Sequence, residues 1–503
     1  MTEQTPLYLD LESRFGRIAA LGEAAGMLHW DAATLMPDGG SEARSEQLSA
    51  LNVTIHELLT DPGLGEGLER TEAEESGYLD LWQRANLREM KRRWLHANAV
   101  PSRLVEEETK AARRCEMIWR EARAKSDFSL VKPTMQTLLS IVREVAAIKA
   151  EALGLSPYDA LLDQFDPGNR ANRIDPVFAD LADFLPPFLN EVLEKQAAAD
   201  APLPLEGPFP TANQQALARK LMQAVGFDFA HGRLDVSLHP FCGGVPEDVR
   251  ITTRYDEDNF LSAMMGVLHE TGHALYERGL PSKWRRQPVG EARGMALHES
   301  QSLLMEMQAC RSRSFVSFMR PLAMECLGGK GPAWNIDNLV KHYRRVERGF
   351  IRVDADEVTY PAHVILRYRL ERALIGGDLS LDDLPGAWTD GMEELLGVRP
   401  PEDRVGVLQD IHWYDGAYGY FPTYTLGAMT AAQLFQTAVA EHPDIPEALG
   451  RGDFTLLLDW LRRKVHGRGS LLSADELLAE ATGRPLDPDA FKFHLRQRYL
   501  EDV

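Results

Sequence analysis

The stretch DNFLSAMMGVLHETGHALYERG, residues 258–279, is the part of this sequence around which the fold is organised. Apolar side chains recur along it at helical spacing, from Leu261 to Leu275. Gly279 suits the left-handed residue that ends many helices. We therefore predict an α-helix with one apolar face over these residues.

This helix carries His269-Glu270-Thr271-Gly272-His273, in which two histidines are separated by one helical turn. Residues spaced in this way lie on one face, so both imidazoles can bind the same metal ion. The Glu270 carboxylate lies beside that ion, where it can take a proton from a bound water. The alternative is an amphipathic helix that carries these polar residues by chance, because short motifs recur without function.

A catalytic zinc site needs a third protein ligand and an open fourth position. The metzincin pattern requires glycine at position 276 and histidine at 279, where this chain has Tyr276 and Gly279. Glu299 is the candidate, because it lies with other polar residues in the otherwise apolar stretch 296–304, which we predict to be a helix. The alternative is an ordinary surface glutamate.

A second polar cluster, GVLQDIHWYDGAYGYFPTYTLG, occupies residues 406–427. A tetrahedral intermediate needs donors aimed at its oxyanion, and an imidazole N–H or a tyrosine hydroxyl can serve. His412 and Tyr420 are our candidates for this role. We predict that most of the other aromatic residues of the stretch fill the core.

A third stretch, IRVDADEVTYPAHVILR, covers residues 351–367 and begins with Arg352. An arginine there can hold a substrate carboxylate with two hydrogen bonds. It can equally be held in a structural ion pair by the acids that follow, Asp354, Asp356 and Glu357. The sequence leaves both interpretations open.

The N-terminal part is predicted to be helical. Residues 4–60 form two helices broken at 36–40, and residues 68–125 form long, charged helices with a solvated face. The proline-rich stretch 201–211 is a linker, because proline cannot continue a helix.

One small sheet is predicted next to the 258–279 helix. Alternating β-branched residues indicate strands over 233–241 and 248–255, joined in a hairpin by a turn at 243–246. Helices return from residue 290, and a capping box and a terminal glycine frame a helix over 473–483. The sequence therefore predicts a mostly α protein.

Composition excludes several classes of protein. A formal net charge of −21 argues against nucleic acid and anionic membranes as partners. No apolar run is long enough to span a bilayer, and residues 1–11 lack the apolar core of a signal peptide. The four cysteines are scattered, which favours reduced thiols and a cytoplasmic location over a disulfide framework.

Several short motifs occur together in this chain, and as a set they resemble the carboxypeptidase Taq family of metallocarboxypeptidases. The resemblance extends from Leu28-His29-Trp30-Asp31 to Thr482-Gly483, so it covers essentially the whole chain. The central motifs are His269–His273, His298-Glu299-Ser300-Gln301, His239-Pro240-Phe241, Asp248-x-Arg250-x-Thr252, Ile351-Arg352-x-x-Ala355-Asp356 and Gly406-x-x-Gln409-Asp410-x-His412-Trp413.

The resemblance implies a large two-lobed helical fold with a deep groove, similar to neurolysin-like peptidases, and a small β-sheet beside the active site. It implies one peptidase domain over residues 1–503, with a helical lobe and lid at 1–200 and a catalytic lobe at 201–503. The implied activity is the release of single C-terminal residues from peptides, with broad specificity that excludes C-terminal proline. It also implies a homodimer with one Zn²⁺ per chain, or Co²⁺ in some members.

Motif by motif, the resemblance implies a role for each matched residue. The metal ligands would be His269, His273 and Glu299. The catalytic residues would be Glu270 as general base and His412 and Tyr420 as oxyanion donors. Arg352 would help to hold the terminal carboxylate of the peptide, and His239 and Arg250 would line or shape the groove beside the helix. If Arg352 is not the clamp, we expect Arg250 or Tyr424 to take that role. His239 and Arg250 could instead only order the hairpin.

Two other readings of the sequence stay open. The H-E-x-x-H chemistry does not distinguish a carboxypeptidase from an oligopeptidase or a dipeptidyl carboxypeptidase on the same fold. In a non-enzyme, the metal would only tie helices together. A structural zinc more often has four protein ligands, commonly cysteines, and no cysteine lies at ligand-like spacing near either metal-ligand segment.

Overall fold

The computed structural model describes residues 5–237 and 240–501. Helices dominate both parts, and the prediction of a mostly α protein with one small sheet is confirmed. The helices that precede the sheet are α1 Pro6–Thr34, α2 Ser41–Leu59, α3 Pro62–Glu74, α4 Leu81–Asn98, α5 Ser102–Lys125, α6 Phe128–Leu153, α7 Pro157–Phe165, α8 Ala171–Ala197 and α9 Thr211–Ala224.

The helices that follow the sheet build most of the surroundings of the H-E-x-x-H segment. Two π-helical turns, Leu304–Cys310 and Gln497–Glu501, follow α11 and α20 directly. Among the described residues, no helix combines the length and the apolar composition needed to cross a membrane. These helices are α10 Phe260–Gly279, α11 Gly294–Leu303, α12 Arg313–Leu327, α13 Ile336–Tyr343, α14 Tyr360–Gly376, α15 Leu384–Leu396, α16 Pro422–Glu441, α17 Ile445–Leu449, α18 Thr455–Lys464, α19 Ala474–Thr482 and α20 Pro488–Arg496.

Two local predictions for the N-terminal part are confirmed, and one is wrong in part. The break at 36–40 separates α1 from α2, and the linker 201–210 precedes α9. The solvated face predicted for 68–125 fails at Glu89 of α4, whose side chain is buried. Its carboxylate accepts hydrogen bonds from Arg293 at 2.6 Å and Arg92 at 3.1 Å. The charges here therefore join α4 to the segment that begins α11.

The sheet has three short strands in the order β1-β3-β2. Strand β3 lies in the centre, where it pairs in parallel with β1 and antiparallel with β2. The buried apolar side chains of β3, Val249 and Ile251, pack with α10 in one apolar cluster. The strands are β1 Gly232–Val236, β2 Phe241–Val245 and β3 Asp248–Thr253.

The predicted hairpin is wrong in its first strand and in its turn. The segment predicted as one strand over 233–241 ends at Val236, and the chain reverses at Pro246 and Glu247 rather than at the glycines. Gly244 lies inside β2 with a φ of 91°. A Cβ added there would lie 2.2 Å from the Asp248 carbonyl oxygen, so this glycine permits a close strand contact.

The role predicted for Gly279 is also wrong. Gly279 is the last residue of α10, and the helix ends at Leu280 in an extended conformation rather than at a left-handed glycine. A Cβ at position 279 would lie 2.5 Å from His466 Nδ1. The glycine is therefore needed for close packing against His466 and not for its backbone freedom. The capping box at Ser473 and the left-handed Gly483, by contrast, are as predicted.

Two glycines bring α10, α11 and α16 close together. A Cβ on Gly272 of α10 would lie 2.5 Å from the Gln301 carbonyl oxygen of α11. A Cβ on Gly427 of α16 would lie 2.9 Å from both Cβ and Cγ of Glu299. The obstacle at Gly272 is backbone, which cannot move aside, so a larger side chain there would separate α10 from α11. The obstacle at Gly427 is the stem of the Glu299 side chain, so a larger residue there would displace Glu299.

Two apolar clusters share α16. The first cluster combines residues of α5–α8 with residues of α14, α15 and α20. The second combines α9, β3, α10–α13 and α17–α19. Helix α16 contributes Leu426 to the first and Leu434 to the second, and α11, which packs on α16, also contributes to both. The first cluster includes residues on both sides of the 201–210 linker, and the division into lobes at residue 200 stays a prediction.

Candidate metal centre

His269, His273 and Glu299 converge, as the sequence predicts, because α10 and α11 pack face to face. Glu299 Oε2 lies 3.4 Å from His273 Nε2 and 3.8 Å from His269 Nε2. One ligand atom from each residue lies within 4.8 Å of the others. Tetrahedral zinc with bonds near 2.1 Å has ligand atoms about 3.4 Å apart, so this set of nitrogen and oxygen atoms fits such an ion.

The charges around these residues favour a cation. Although burial opposes ionisation, His269 and His273 lower the pKa of Glu299 to about 2, so its carboxylate is charged. The side chains of Glu270 and Glu306 lie close enough to act on His269 as well. Against the opposing effect of burial, Glu299 and Glu306 raise the pKa of His269. The negative potential that holds a proton on this imidazole also favours a divalent metal ion.

The outer nitrogens of the two imidazoles are held by residues that the sequence analysis did not assign. His269 Nδ1 lies 2.9 Å from Glu306 Oε2, and the other oxygen of Glu306 accepts from Arg311 at 2.6 Å. His273 Nδ1 lies 2.6 Å from Nδ1 of His298. Glu306 follows Glu299 by two helical turns, and that spacing is the signal that would have found it.

Glu270 lies on α10 between the two histidines and is buried. Burial raises the pKa of its carboxyl to about 7, and the negative charge of Glu299 raises it as well, although His269 opposes both effects. A carboxyl group with this proton affinity can take up and release a proton near neutral pH. The position and the pKa suit a general base.

The 406–427 stretch approaches the metal ligands with its aromatic side chains. His412 Nε2 lies 3.3 Å from the Tyr424 hydroxyl, and the rings of Tyr420 and Tyr424 are 5.2 Å apart. Burial, followed by the negative charge of Glu299, raises the pKa of Tyr420 to about 12. Tyr420 therefore lies close enough to Glu299 for the charge of that carboxylate to act on its hydroxyl. Trp413, Tyr414 and Tyr418 are core residues, as predicted.

A buried glutamate anchors this stretch to the N-terminal part. Glu371 of α14 is fully buried and accepts hydrogen bonds from the Tyr158 hydroxyl and from Trp413 Nε1. Burial raises the pKa of its carboxyl to about 7, although both hydrogen bonds oppose the shift. Glu371 thus joins α7 to the segment that carries His412 and Tyr420.

Comparison with known proteins identifies the family. The sequence pattern of the carboxypeptidase Taq (M32) metallopeptidase family matches residues 10–499. The chain belongs to this family. The thermostable carboxypeptidase 1 of Thermus thermophilus is 38% identical to this M32 chain, over 98% of the chain and 97% of the relative.

Solved structures of other M32 proteins have the same fold. The Trypanosoma cruzi metallocarboxypeptidase 1 is 41% identical with a TM-score of 0.97, and the match covers 99% of this chain and 100% of that one. The M32 carboxypeptidase from Deinococcus radiodurans is 34% identical with a TM-score of 0.92, and the match covers 99% of each chain. The family resemblance drawn from the motifs is confirmed, and membership of a metallopeptidase family implies a metal ion.

Arg352 of this M32 chain is buried in an ion pair, but not with the acids that follow it. Its Nε and Nη2 atoms donate to Asp410 Oδ1 at 3.1 and 2.8 Å, and its Nη1 donates to the Tyr360 hydroxyl. Arg367 donates to the other oxygen of the same carboxylate at 2.6 Å. Against the effect of burial, the two arginines hold the pKa of Asp410 well below its usual value. Asp410 lies far along the chain, so local sequence did not reveal this pairing.

The two residues predicted beside the groove have different outcomes. Arg250 of β3 pairs with Asp248 at 2.6 Å, and its guanidinium lies 4.5 Å from the centre of the Trp30 ring of α1. It therefore joins the N-terminal helix to the sheet, and a role in binding substrate stays a prediction. His239 lies outside the described residues.

A cavity of 520 Å³ opens beside the metal ligands, and His269 and Glu299 form part of its wall. Its size falls in the range of small-molecule sites in proteins. Met265 and Pro361 contribute apolar surface, and charged side chains of both signs, among them Arg311 and Glu306, also line the cavity. The cavity can accept an amino-acid side chain of a bound peptide.

Proposed function

We propose that this M32 protein is a zinc-dependent carboxypeptidase that releases single C-terminal residues from peptides with a free carboxyl terminus. We propose broad specificity that excludes C-terminal proline. The observation that carries the proposal is the convergence of His269, His273 and Glu299 with Glu270 between the histidines. This arrangement supplies three metal ligands and a base while leaving a coordination position for a reacting group.

The metal ion and Glu270 have separate roles in the proposed reaction. When bound, the metal ion would act as a Lewis acid on the scissile carbonyl and lower the pKa of water. Glu270 takes a proton from the attacking water and later transfers it to the leaving amine. Its raised pKa supports both transfers, because the group must be a base in one step and an acid in the next.

Tyr420 and His412 are the proposed donors to the oxyanion of the tetrahedral intermediate. With a pKa of about 12, the Tyr420 hydroxyl keeps its proton at neutral pH and can donate it in a hydrogen bond. Burial lowers the pKa of His412 to about 4, and the charges of Arg352 and Arg367 contribute. The imidazole is therefore neutral and has one N–H group to donate. Donors placed in advance stabilise the developing charge more than mobile water does.

Arg352 is the proposed partner of the substrate's terminal carboxylate. Among the described residues, its hydrogen bonds to Asp410 and Tyr360 use three of the five N–H groups that a guanidinium offers. Arg352 and Arg367 share the single negative charge of Asp410, so the three groups together carry one net positive charge. That charge opposes the acidic field of the chain. Tyr424 and Arg250 are the next candidates.

We propose further properties that accompany this activity. The metal is zinc, one ion per chain, with cobalt as a substitute, because the ligand atoms are two nitrogens and one oxygen at tetrahedral spacing. The protein is a cytoplasmic homodimer with a helical lobe and lid at 1–200 and a catalytic lobe at 201–503. Its partners are peptides rather than nucleic acid or membranes, as the net charge of −21 supports.

Mass spectrometry of a peptide and of its C-terminal amide tests the activity. We expect stepwise loss of single residues from the free acid and no reaction of the amide. Cuts inside both peptides would identify an oligopeptidase, and loss of residues in pairs would identify a dipeptidyl carboxypeptidase. The Glu270→Gln protein, incubated under the same conditions, is the control for a contaminating peptidase.

A further inference from the structure

The two histidine ligands are supported by different partners, and the support of His273 is indirect. His273 Nδ1 contacts another imidazole, His298, through a distance of 2.6 Å between Nδ1 atoms. His298 Nε2 then lies 2.7 Å from Glu277 Oε1. Glu277 follows His273 by one turn of α10, and His298 precedes Glu299 on α11. The three side chains form a relay from the metal site to the partly exposed end of α10.

When a cation is bound at Nε2 of His273, only one arrangement of protons satisfies every contact in this relay. An imidazole that binds a cation through Nε2 carries its proton on Nδ1, so His273 Nδ1 is the donor towards His298. His298 Nδ1 must then accept, which places the proton of His298 on Nε2. That nitrogen donates to the Glu277 carboxylate, which can only accept when ionised. The cation at one end of the relay and the carboxylate at the other thus require the same arrangement of protons.

We propose that His298 and Glu277 are positioning residues that fix the tautomer and ring orientation of His273, and thereby the affinity of the site for its metal ion. The proposal rests on the metal centre described above. His298 itself is not a ligand, because its Nδ1 faces the outer nitrogen of His273 and its Nε2 faces Glu277.

The same turn of α11 delivers both the third ligand and the relay. Because His298 and Glu299 are adjacent, a shift of α11 that moves the Glu299 carboxylate also moves the acceptor of His273. His269 has a separate partner in Glu306, which Arg311 holds in place. The two ligand imidazoles are therefore oriented by separate partners. A carboxylate contacts His269 directly, whereas a carboxylate acts on His273 through the imidazole of His298.

The dissociation constant for Zn²⁺, measured by competition with a chromogenic chelator, tests the relay without an activity assay. His298→Phe keeps a flat ring but removes the acceptor, and we expect a dissociation constant roughly 10- to 100-fold higher. In Glu277→Lys, the ammonium group can only donate, so His298 must place its proton on Nδ1, facing the proton of His273. We expect a comparable loss there.

Two variants separate the relay from simple changes of charge and shape. In Glu277→Ala, water can accept the hydrogen bond from His298 in place of the carboxylate, so we expect a smaller loss than in Glu277→Lys. Asp258→Lys makes the same charge change as Glu277→Lys at an exposed residue two positions before α10, away from the imidazoles. An equal loss in Asp258→Lys and Glu277→Lys would show that charge alone acts, and the relay would be refuted.

Nuclear magnetic resonance of ¹⁵N-labelled histidine reports the tautomers directly. In the zinc-loaded protein we expect His298 in the Nε2–H form and His273 in the Nδ1–H form, with the His298 signals assigned by their absence in His298→Phe. If His298→Phe does not fold, Glu277→Lys serves to assign the His298 signals, because the tautomer of His298 should change in that variant. The Nδ1–H form of His298 in the wild-type protein would overturn the proposal. Wild-type affinity in both variants would overturn it as well. A wild-type protein that binds no Zn²⁺ would instead refute the metal centre.

Discussion

Gly272 sets the distance between the two helices that carry the metal ligands, and its replacement by alanine gives a quantitative prediction. A Cβ at this position would lie 2.5 Å from the Gln301 carbonyl oxygen and 2.6 Å from Ser302 Cα. Ordinary contacts of this kind are about 3.5 Å long, so α10 and α11 would have to separate by about 1 Å. Both obstacles are backbone atoms, and neither can rotate away.

The size of the expected change in Zn²⁺ affinity depends on how the strain is shared between the metal-bound and metal-free forms. Overpacking of this kind costs about 1–3 kcal/mol. The metal-free protein can relax by letting the helices separate, whereas the bound form must keep Glu299 within reach of both histidines. His273 Nε2 and Glu299 Oε2 are 3.4 Å apart, so a further ångström places them beyond the span of one tetrahedral ion. If the strain falls on the bound form, the Zn²⁺ dissociation constant rises roughly 5- to 150-fold.

The assay is chelator competition, with thermal denaturation in the presence and absence of Zn²⁺. Gly266→Ala is the matched control, because it lies in the same helix and a Cβ there meets nothing within 4 Å. Both variants gain up to about 1 kcal/mol of helix propensity. We expect Gly266→Ala to keep its affinity, so only Gly272→Ala should lose the stabilisation by Zn²⁺. Equal affinity in Gly272→Ala and wild type would refute the idea that this contact sets the ligand distance.

Four other variants test individual residues. Glu299→Ala should lower the metal content measured by elemental analysis, because a charged ligand is lost; full occupancy would exclude it as a ligand. Glu270→Gln should keep the metal while turnover falls by roughly 10²–10⁴-fold, since the amide cannot accept a proton. Arg352→Ala should lower the ratio of kcat/KM for a free-acid peptide to kcat/KM for its amide by roughly 10- to 150-fold. This range corresponds to the loss of one charged hydrogen bond, which contributes about 1.5–3 kcal/mol. An unchanged ratio would leave Arg352 as a structural ion pair. Burial raises the pKa of Glu371 to about 7, so protonation of this carboxyl stabilises the folded state at low pH. The contribution is on the order of 3 kcal/mol and is lost as pH rises through 7. Thermal denaturation should therefore show a smaller loss of stability from pH 5 to pH 8 in Glu371→Gln than in wild type, and parallel curves would contradict this.

The parts of the site that local spacing determines were predictable. Two histidines one turn apart on an amphipathic helix share a face in any helix, and the loop between His273 and Glu299 is long enough for a second helix to pack back. The structure brings these residues together as the sequence predicts. The break between α1 and α2 and the capping box at Ser473 are equally local, because they depend on backbone chemistry within a few residues.

The parts that depend on distant segments were not predictable. The acids next to Arg352 offered local partners, but burial places it against Asp410, on a loop that follows α15. Alternation identified β1 and β3 but missed β2, which lies where a turn is predicted. Alternation also holds no information on pairing direction, so the parallel pairing of β1 with β3 could not be inferred. The glycines were misinterpreted for the same reason. Gly244 and Gly279 permit close contacts with other segments, and the local sequence does not specify those segments.

The apolar cluster that joins α6 and α8 to α14 and α15 has a consequence for synthesis. A ribosome makes the partner helices about 160 residues after α8, a delay on the order of 10–30 s at usual elongation rates. During that interval the apolar faces of α6 and α8 have nothing from α14 to cover them, which makes the nascent chain a substrate for chaperones. A premature stop in the 201–210 linker would accordingly yield an aggregating fragment and not a stable N-terminal lobe.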